Sequence, residues 1–432
     1  MTQAVFRPWK TAPGGGVKAA FPVARLVTVL LCACGLLAAH LVDADSGYET
    51  PPELAASMFL ARESLSGPSF RVDPVVKNDG CLNSYVIHSR YGDFSAVSTA
   101  QALIRIREIA AMDAIAKLDP AAEMGKGFVG GLEDTVEGAE NLFSAPVETL
   151  GQAVSGVGKI FTRAEESSSS APSKYEDDNV KAVIGLSRTK REYAAMLGID
   201  PYSTNPELQK RLEKIATAGY AGGLGSMGLK AAIPGGVGLA VSATSTTKWL
   251  EDVDLTVPPT DLRQQNRAKL TAMGVTKPVA CAFVDNGEFT PSQQAYLVAA
   301  LASMSGVGGR ELFIRFVLGA NSQELALYRL RLAQMFAGYH HKKARIERFV
   351  AVGRLVAGRT IAGKLVLCFP LDYFVWTQTN ARLIESLAAQ AAELGAGGME
   401  LWLTGAASET AARELAKRGF VVTQLAETQL LK

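Results

Sequence analysis

Five side chains in the last quarter of the chain have types that do chemistry: Asp372, Tyr373, Trp376, Thr404 and Ser408. A carboxylate and a phenol exchange protons, two hydroxyls hydrogen-bond, and an indole offers a flat apolar wall. Their spacing says where they sit. Asp372 to Trp376 follow KLVLCFPL (364–371), and Thr404 and Ser408 follow or end MELWLT (399–404); both runs read as strands. Open α/β sheets bind ligands beyond the carboxyl ends of their strands, so these five groups are the candidate small-molecule site. A plainer reading competes with it, in which the same residues cap helices and fill the rim. Ser408 stands where a helix N-cap belongs.

The elements that would position them form an α/β unit. FVAVGRL (349–355) and KLVLCFPL read as strands joined by AGRTIAG (357–363). Helix Thr379–Leu394, strand MELWLT, helix Ser408–Lys417 and strand FVVTQL (420–425) follow. The alternation predicts parallel strands with one antiparallel hairpin.

Thr404–Ser408 resembles the nucleotide loop of short-chain dehydrogenases. Glu409 and Ala411 stand where those enzymes need glycines against the pyrophosphate, and too little chain follows for the rest of that fold. No nucleotide cofactor is expected, and no other cofactor has a motif. His88 falls in a strand and reads as structural. His340 and His341 are adjacent, point about 100° apart on a helix and have Lys342 and Lys343 beside them, which predicts a solvated helix end rather than a metal site. Asp285–Glu288 (DNGE) lacks the EF-hand spacing and reads as a turn. Cys81, Cys281 and Cys368 lie far apart, with no CxxC pattern; Cys281 and Cys368 have apolar surroundings and read as buried thiols. The expected metal set is none.

Upstream, Ala216–Thr247 is the longest apolar stretch after the N-terminus, with Lys230 its single charge. Asn205-Pro206-Glu207 starts a helix that runs into it. Small residues then repeat at four-residue spacing, as in Gly219 and Gly223, until Pro234-Gly235-Gly236 breaks the run into a helical hairpin. Burial in the body is the first reading. Association with a membrane is the second, and a Gly-lined cleft the third.

At the other end, Arg7, Lys10, Lys18 and Arg25 precede the apolar run Leu26–Val42, a basic n-region and an h-region of an export signal. Cleavage is expected at Val42-Asp43-Ala44, with Ala39 the second candidate; an uncleaved segment would serve as an inner-membrane anchor. The net charge of +2 falls to −1 once the first 44 residues are set aside. A nearly neutral body argues against nucleic acid as a partner.

Between these landmarks, FRVDPVV, LNSYVIHSR and DFSAVS predict a β-hairpin, followed by a helix over Thr99–Leu118 with Leu103, Ile106, Ile109 and Met112 inward and Arg105, Arg107 and Glu108 outward. Phe128–Phe161 is a pair of amphipathic segments with an acidic polar face. Arg163–Asp178 is a Ser-rich linker. Residues 260–345 read as four or five helices, with caps at Thr290 and Ser322.

The hairpin with its RIREI helix, GVGKIF, DPYSTNPELQKRL and ELWLTG together resemble a family of uncharacterised exported proteobacterial proteins; the resemblance implies export and no activity. The fold class is therefore α+β and helix-rich, in several domains: a signal peptide or anchor over 1–44, an N-terminal hairpin with amphipathic helices over 45–162, the linker over 163–178, a Gly-rich helical module over 179–257, a helical region over 258–345 and a small α/β domain over 346–432. The expected function is that of an exported cell-envelope or periplasmic interaction or scaffold protein, leaning away from an enzyme. Its expected partners are other envelope proteins or itself, with membrane association through 216–247 or an uncleaved N-terminus as a further route. A small-molecule-binding protein or enzyme using the C-terminal rim is the alternative.

Overall fold

A computed structural model describes residues 47–117, 185–222 and 253–432, all within one unit spanning Val42–Lys432. The expected export signal over 1–44, the segments over 128–161, the expected linker over 163–178 and the Gly-rich stretch from 223 onward lie outside the described residues. The fold is mixed α+β and rich in helix.

The N-terminal part is built on short strands: β1 (Glu53–Ala55), a helical turn α1 (Arg62–Leu65), β2 (Ser66–Gly67), β3 (Phe70–Val72), β4 (Val75–Asn78), β5 (Asn83–Ser89) and β6 (Gly92–Val97). β5 and β6 make the expected hairpin, with His88 opposite Asp93. β3 and β4 share the other edge of β5. Asp73-Pro74 separates them, because proline cannot donate to a ladder. The inward set Val72, Val76, Tyr85, Ile87 and Ala96 packs on α2 (Thr99–Lys117), α3 (Leu186–Met196) and α4 (Pro206–Gly222).

α4 starts as its sequence dictates: Asn205 Oδ1 accepts from the amides of Glu207 and Leu208, and Pro206 takes the first position. On α4, the space a Cβ would need at Gly219 is filled by the Tyr193 ring of α3, so this glycine admits an aromatic side chain and not a second backbone. One expectation for α2 is corrected. Glu108 is 2% exposed and faces inward. It is held there by Arg105 Nη1 (2.8 Å), Asn205 Nδ2 (3.0 Å) and the Ser203 hydroxyl, which supply the donors a buried carboxylate needs. The loop before α4 reaches further: Asp200 accepts from Ser292 Oγ (2.6 Å) and Thr290 Oγ1 (3.1 Å) at the start of the next helical layer.

That layer comprises α5 (Pro259–Ala272), α6 (Lys277–Val284), α7 (Pro291–Ser303), α8 (Arg310–Val317) and α9 (Gln323–Lys342). Thr290 and Gln293 close a reciprocal capping box on α7, and Ser322 caps α9.

The C-terminal sheet runs β13–β11–β9–β8–β7, with β7 (Ile346–Val352), β8 (Leu355–Thr360), β9 (Leu365–Phe369), β11 (Met399–Leu403) and β13 (Phe420–Thr423). β9, β11 and β13 are parallel, linked by α10 (Gln378–Glu393) and α11 (Glu409–Lys417). A second small pair joins β10 (Tyr373–Phe374) to β12 (Ala406–Ala407). The stretch expected to be a link, AGRTIAG, contributes β8 instead, so there are two successive antiparallel pairs and not one. Gly353 at φ +61° makes the tight turn, and Gly358 leaves room for Ile346 across the pair.

Alternation divides the sheet. Leu365, Leu367, Phe369, Leu401 and Leu403 face α10 and α11, while Val366, Cys368 and Trp402 face the core shared with α6 to α9. One apolar cluster therefore continues across residue 345. His340, expected to be solvated, is 3% exposed because the end of α9 lies in this packing; His341 is exposed. Cys368 is buried as expected, whereas Cys281 is half-buried.

His88 yields a prediction on pH. Its ring lies 3.0 Å from Asp93 Oδ1 and 3.1 Å from Asp73 Oδ1. The hydrogen bonds to Asp93 and then Asp73 raise its pKa above the ordinary 6.5. A raised histidine pKa contributes stability that is complete below the unfolded value and lost as pH rises through the folded value. NMR titration should find His88 above 6.5, and His88→Ala should flatten the stability profile between those two values. A His88 midpoint at or below 6.5 would contradict the pairing.

Candidate functional site

The rim of the C-terminal sheet already holds a ligand of a kind, and it is this chain's own N-terminal part. After β9, Pro370 and Leu371 end the strand and the backbone turns to meet the β4–β5 loop. The amides of Asp372 and Tyr373 donate to the Cys81 carbonyl (3.0 and 3.2 Å), and that of Val375 to the Gly80 carbonyl (3.0 Å). Asn380 Nδ2 donates to Gly80 as well (2.9 Å). The loop is pre-shaped for this: Asp79 Oδ1 accepts from the amides of Cys81 and Leu82, and Asn78 Oδ1 from that of Gly80 at φ +106°.

Asp372 completes the joint. Its side chain is 8% exposed and accepts from the Asn83 amide (2.9 Å) and the Thr99 amide (3.0 and 3.1 Å). One carboxylate thus ties the start of β5 and the first turn of α2 to the C-terminal sheet. The charge favours the positive end of α2. Burial raises the Asp372 carboxyl above the ordinary carboxylate range, and the amide donors oppose that rise. The Cys81 thiol, also covered here, is pushed up to about 12, chiefly by burial and then by Asp79, so it is not a ready nucleophile.

Trp376 and Ser408 occupy a second joint, built around Glu49. Glu49 Oε2 accepts from the Trp376 amide (2.8 Å) and from Ser408 Oγ (2.5 Å), and the Glu49 amide donates to the Trp376 carbonyl (2.9 Å). Ser408 Oγ also caps α11 by accepting from the Ala411 amide (3.0 Å). The Trp376 indole is buried, with the Arg418 guanidinium 4.7 Å over its ring.

Of the five candidate residues, the structure brings Asp372, Tyr373 and Thr404 to the wall of one cleft and sets Trp376 and Ser408 apart at Glu49. The cleft has a volume of about 310 Å³ and opens between the β6–α2 corner, the first half of α9 and the ends of β9 and β11. Its wall is mostly apolar, with Phe59, Leu103 and Leu327 inside and Met58, Val97 and Leu425 exposed at the rim. The polar lining is Ser98, Thr99, Asp372, Thr404, Tyr328, Tyr373, Glu324, Lys432 and the ion pair of Arg331 with Glu427. Burial raises the Tyr328 hydroxyl and the Tyr373 hydroxyl above the ordinary phenol range, so both are proton-bearing donors at neutral pH. Thr404 Oγ1 is engaged, donating to the Leu371 carbonyl (2.7 Å).

Backbone strain marks the same place. Among the described residues, the non-glycine residues with positive φ are Ser98 (97°) and Leu425 (53°), and both line the cleft. Such positions cost about 1 to 3 kcal/mol each and persist only where their surroundings fix them. Sequence reasoning missed this wall. Ser98 carried a faint signal, a polar residue between a strand and a helix, but Leu425 carried none.

No family model, curated protein or solved structure matches the chain. Among the described residues, no group of three or more His, Cys, Asp or Glu is placed to hold a metal ion, and no helix is long and apolar enough to cross a membrane.

Proposed function

We propose that the chain is an exported cell-envelope protein that acts by binding, as an interaction or scaffold protein, and that the cleft beside Asp372 is its binding face. The observation that carries this reading is the cleft wall: apolar, open at a rim of Met58, Val97 and Leu425, and strained at Ser98 and Leu425. A concave, mostly apolar wall with a few polar groups is the usual form of a binding site. The engagement of Asp372, Trp376 and Ser408 by Asn83, Thr99 and Glu49 supports binding over rim catalysis, since those groups already have partners.

A photo-crosslinking residue at position 425, installed in the full chain in cells, tests it. Ile361 is comparably exposed, at 74% against 64%, and lies in the turn between β8 and β9, away from the cleft wall. The expected result is a discrete adduct from position 425 and none of that size from 361. Identical adducts from both positions, or none from 425, would reject the cleft as the binding face. A discrete adduct to a small molecule would favour the alternative, a small-molecule-binding protein using Tyr373 and Tyr328 as donors.

A further inference from the structure

Positive charge collects where α9 ends and α8 begins, and among the described residues no carboxylate pairs with Arg310 or Arg345. Gly309 turns the chain into α8 at φ +73° and gives that helix no side-chain cap. Arg310 follows. One of its terminal nitrogens donates to the Met304 carbonyl, and its Nε is buried with no hydrogen-bond partner. Opposite, α9 delivers His340 and His341, with ring centroids 5.2 Å apart and planes at 80°. The buried ring of His340 has Arg345 Nη1 at 2.9 Å from Nε2 and the Ile346 amide nitrogen at 3.2 Å from Nδ1. Both neighbours are donors. A neutral imidazole has one lone pair and one N–H, so one of its nitrogens turns a proton towards another proton. His341 Nε2 lies 3.1 Å from Ser303 Oγ.

These groups share one electrostatic neighbourhood. Burial, then the charges of His341, Arg345 and Arg310, hold the pKa of His340 down at about 4. The acids adjacent in sequence do not neutralise them. Glu311 is engaged by the Thr276 amide and Arg315, and Glu347 forms no ion pair among the described residues. Lys342 and Lys343 are directed elsewhere, to the Lys432 carbonyl and to Gln429. Buried donors are almost always satisfied, so a cluster with an orphaned guanidinium Nε and a histidine facing two donors lacks an acceptor.

We propose that Arg310, His340, His341 and Arg345 form a binding site for a phosphate-type oxyanion, whose oxygens supply the acceptors this cluster lacks. A guanidinium fork fits such an anion with two parallel hydrogen bonds. The phosphate can come from a free solute or from a lipid headgroup.

Inorganic phosphate is the first probe, titrated into the signal-free protein near pH 6.5 at constant ionic strength and followed by the His340 and His341 imidazole resonances. A saturable shift is expected that chloride does not reproduce. Arg345→Gln, at an exposed position, should weaken it roughly tenfold or more, the loss of a charge-assisted hydrogen bond. Arg310→Lys, which keeps the charge and removes Nε, should weaken it as well, while Arg382→Gln on α10 should leave it unchanged. The second arm is sedimentation with phosphatidylcholine vesicles, with and without phosphatidylglycerol. Binding to the anionic vesicles alone, lost in Arg345→Gln, assigns the headgroup as the source; a phosphate response without vesicle binding assigns a free solute. No saturable phosphate shift together with no anionic-vesicle binding would overturn the site, and so would binding that neither Arg345→Gln nor Arg310→Lys weakens.

Discussion

Asp372→Ala is expected to lower folding stability by about 2 to 4 kcal/mol. The change orphans the amides of Asn83 and Thr99, which are drawn to this carboxylate from 289 and 273 residues away in sequence. A buried amide left without an acceptor costs about 1 to 3 kcal/mol, and part of that is offset because a buried charge disappears with it. Asp372→Asn should cost less than Ala but still destabilise, since its amide group turns donors towards donors. Denaturant unfolding measures both. A loss below about 0.5 kcal/mol for Ala, the range of an ordinary surface change, would mean that the carboxylate does not join the two parts.

Gly338→Val is expected to be at least as severe, at about 3 kcal/mol or more. Gly338 lies in the buried stretch of α9, and a Cβ there would fall well inside contact distance of the Leu430 backbone. Backbone atoms of the terminal turn over Glu427–Leu431 cannot swing aside as a long side chain can. Gly363→Ala separates this steric effect from conformational cost. Gly363 has φ +78° and nothing within 4 Å of the built Cβ, so only the left-handed penalty of about 1 to 2 kcal/mol applies. Thermal melting of the variants should rank Gly338→Val well below Gly363→Ala. The reverse order would remove the close approach of α9 to the C-terminal turn.

Much of the local structure could be read from the chain because local rules govern it. The Thr290–Gln293 capping box, the caps at Ser322 and Ser408, and the start of α4 at Asn205 all involve residues within four positions of one another. The alternation of Leu365, Val366, Leu367 and Cys368 belongs to a strand with one apolar layer on each side, which is why it read as a continuous run. The candidate site was legible only in part. Asp372, Tyr373 and Thr404 do meet at a cleft beyond the strand ends, as the topology of such sheets requires. What filled the rest of the rim was not legible. Glu49 lies 359 residues from Ser408, and no periodicity links them. Glu108 read as outward because it is charged, yet besides Arg105 on its own helix two of its donors, Ser203 and Asn205, are on a loop that follows α3. His340 read as solvated because its neighbours are basic, whereas tertiary packing buried it among them.

The rim of the C-terminal sheet is occupied by the N-terminal part of the same chain through Asp372. Native-state hydrogen exchange at the Asn83 and Thr99 amides tests this joint. In the native protein both amides should be protected to nearly the level of the β9 core. In Asp372→Ala both should exchange faster by roughly tenfold for each 1.4 kcal/mol lost, while the Leu367 and Leu401 amides change only by the global loss of stability. If the Asn83 and Thr99 amides of the native protein exchange at the rate of solvent-exposed amides, the rim is open and Asp372 does not join it to the N-terminal part.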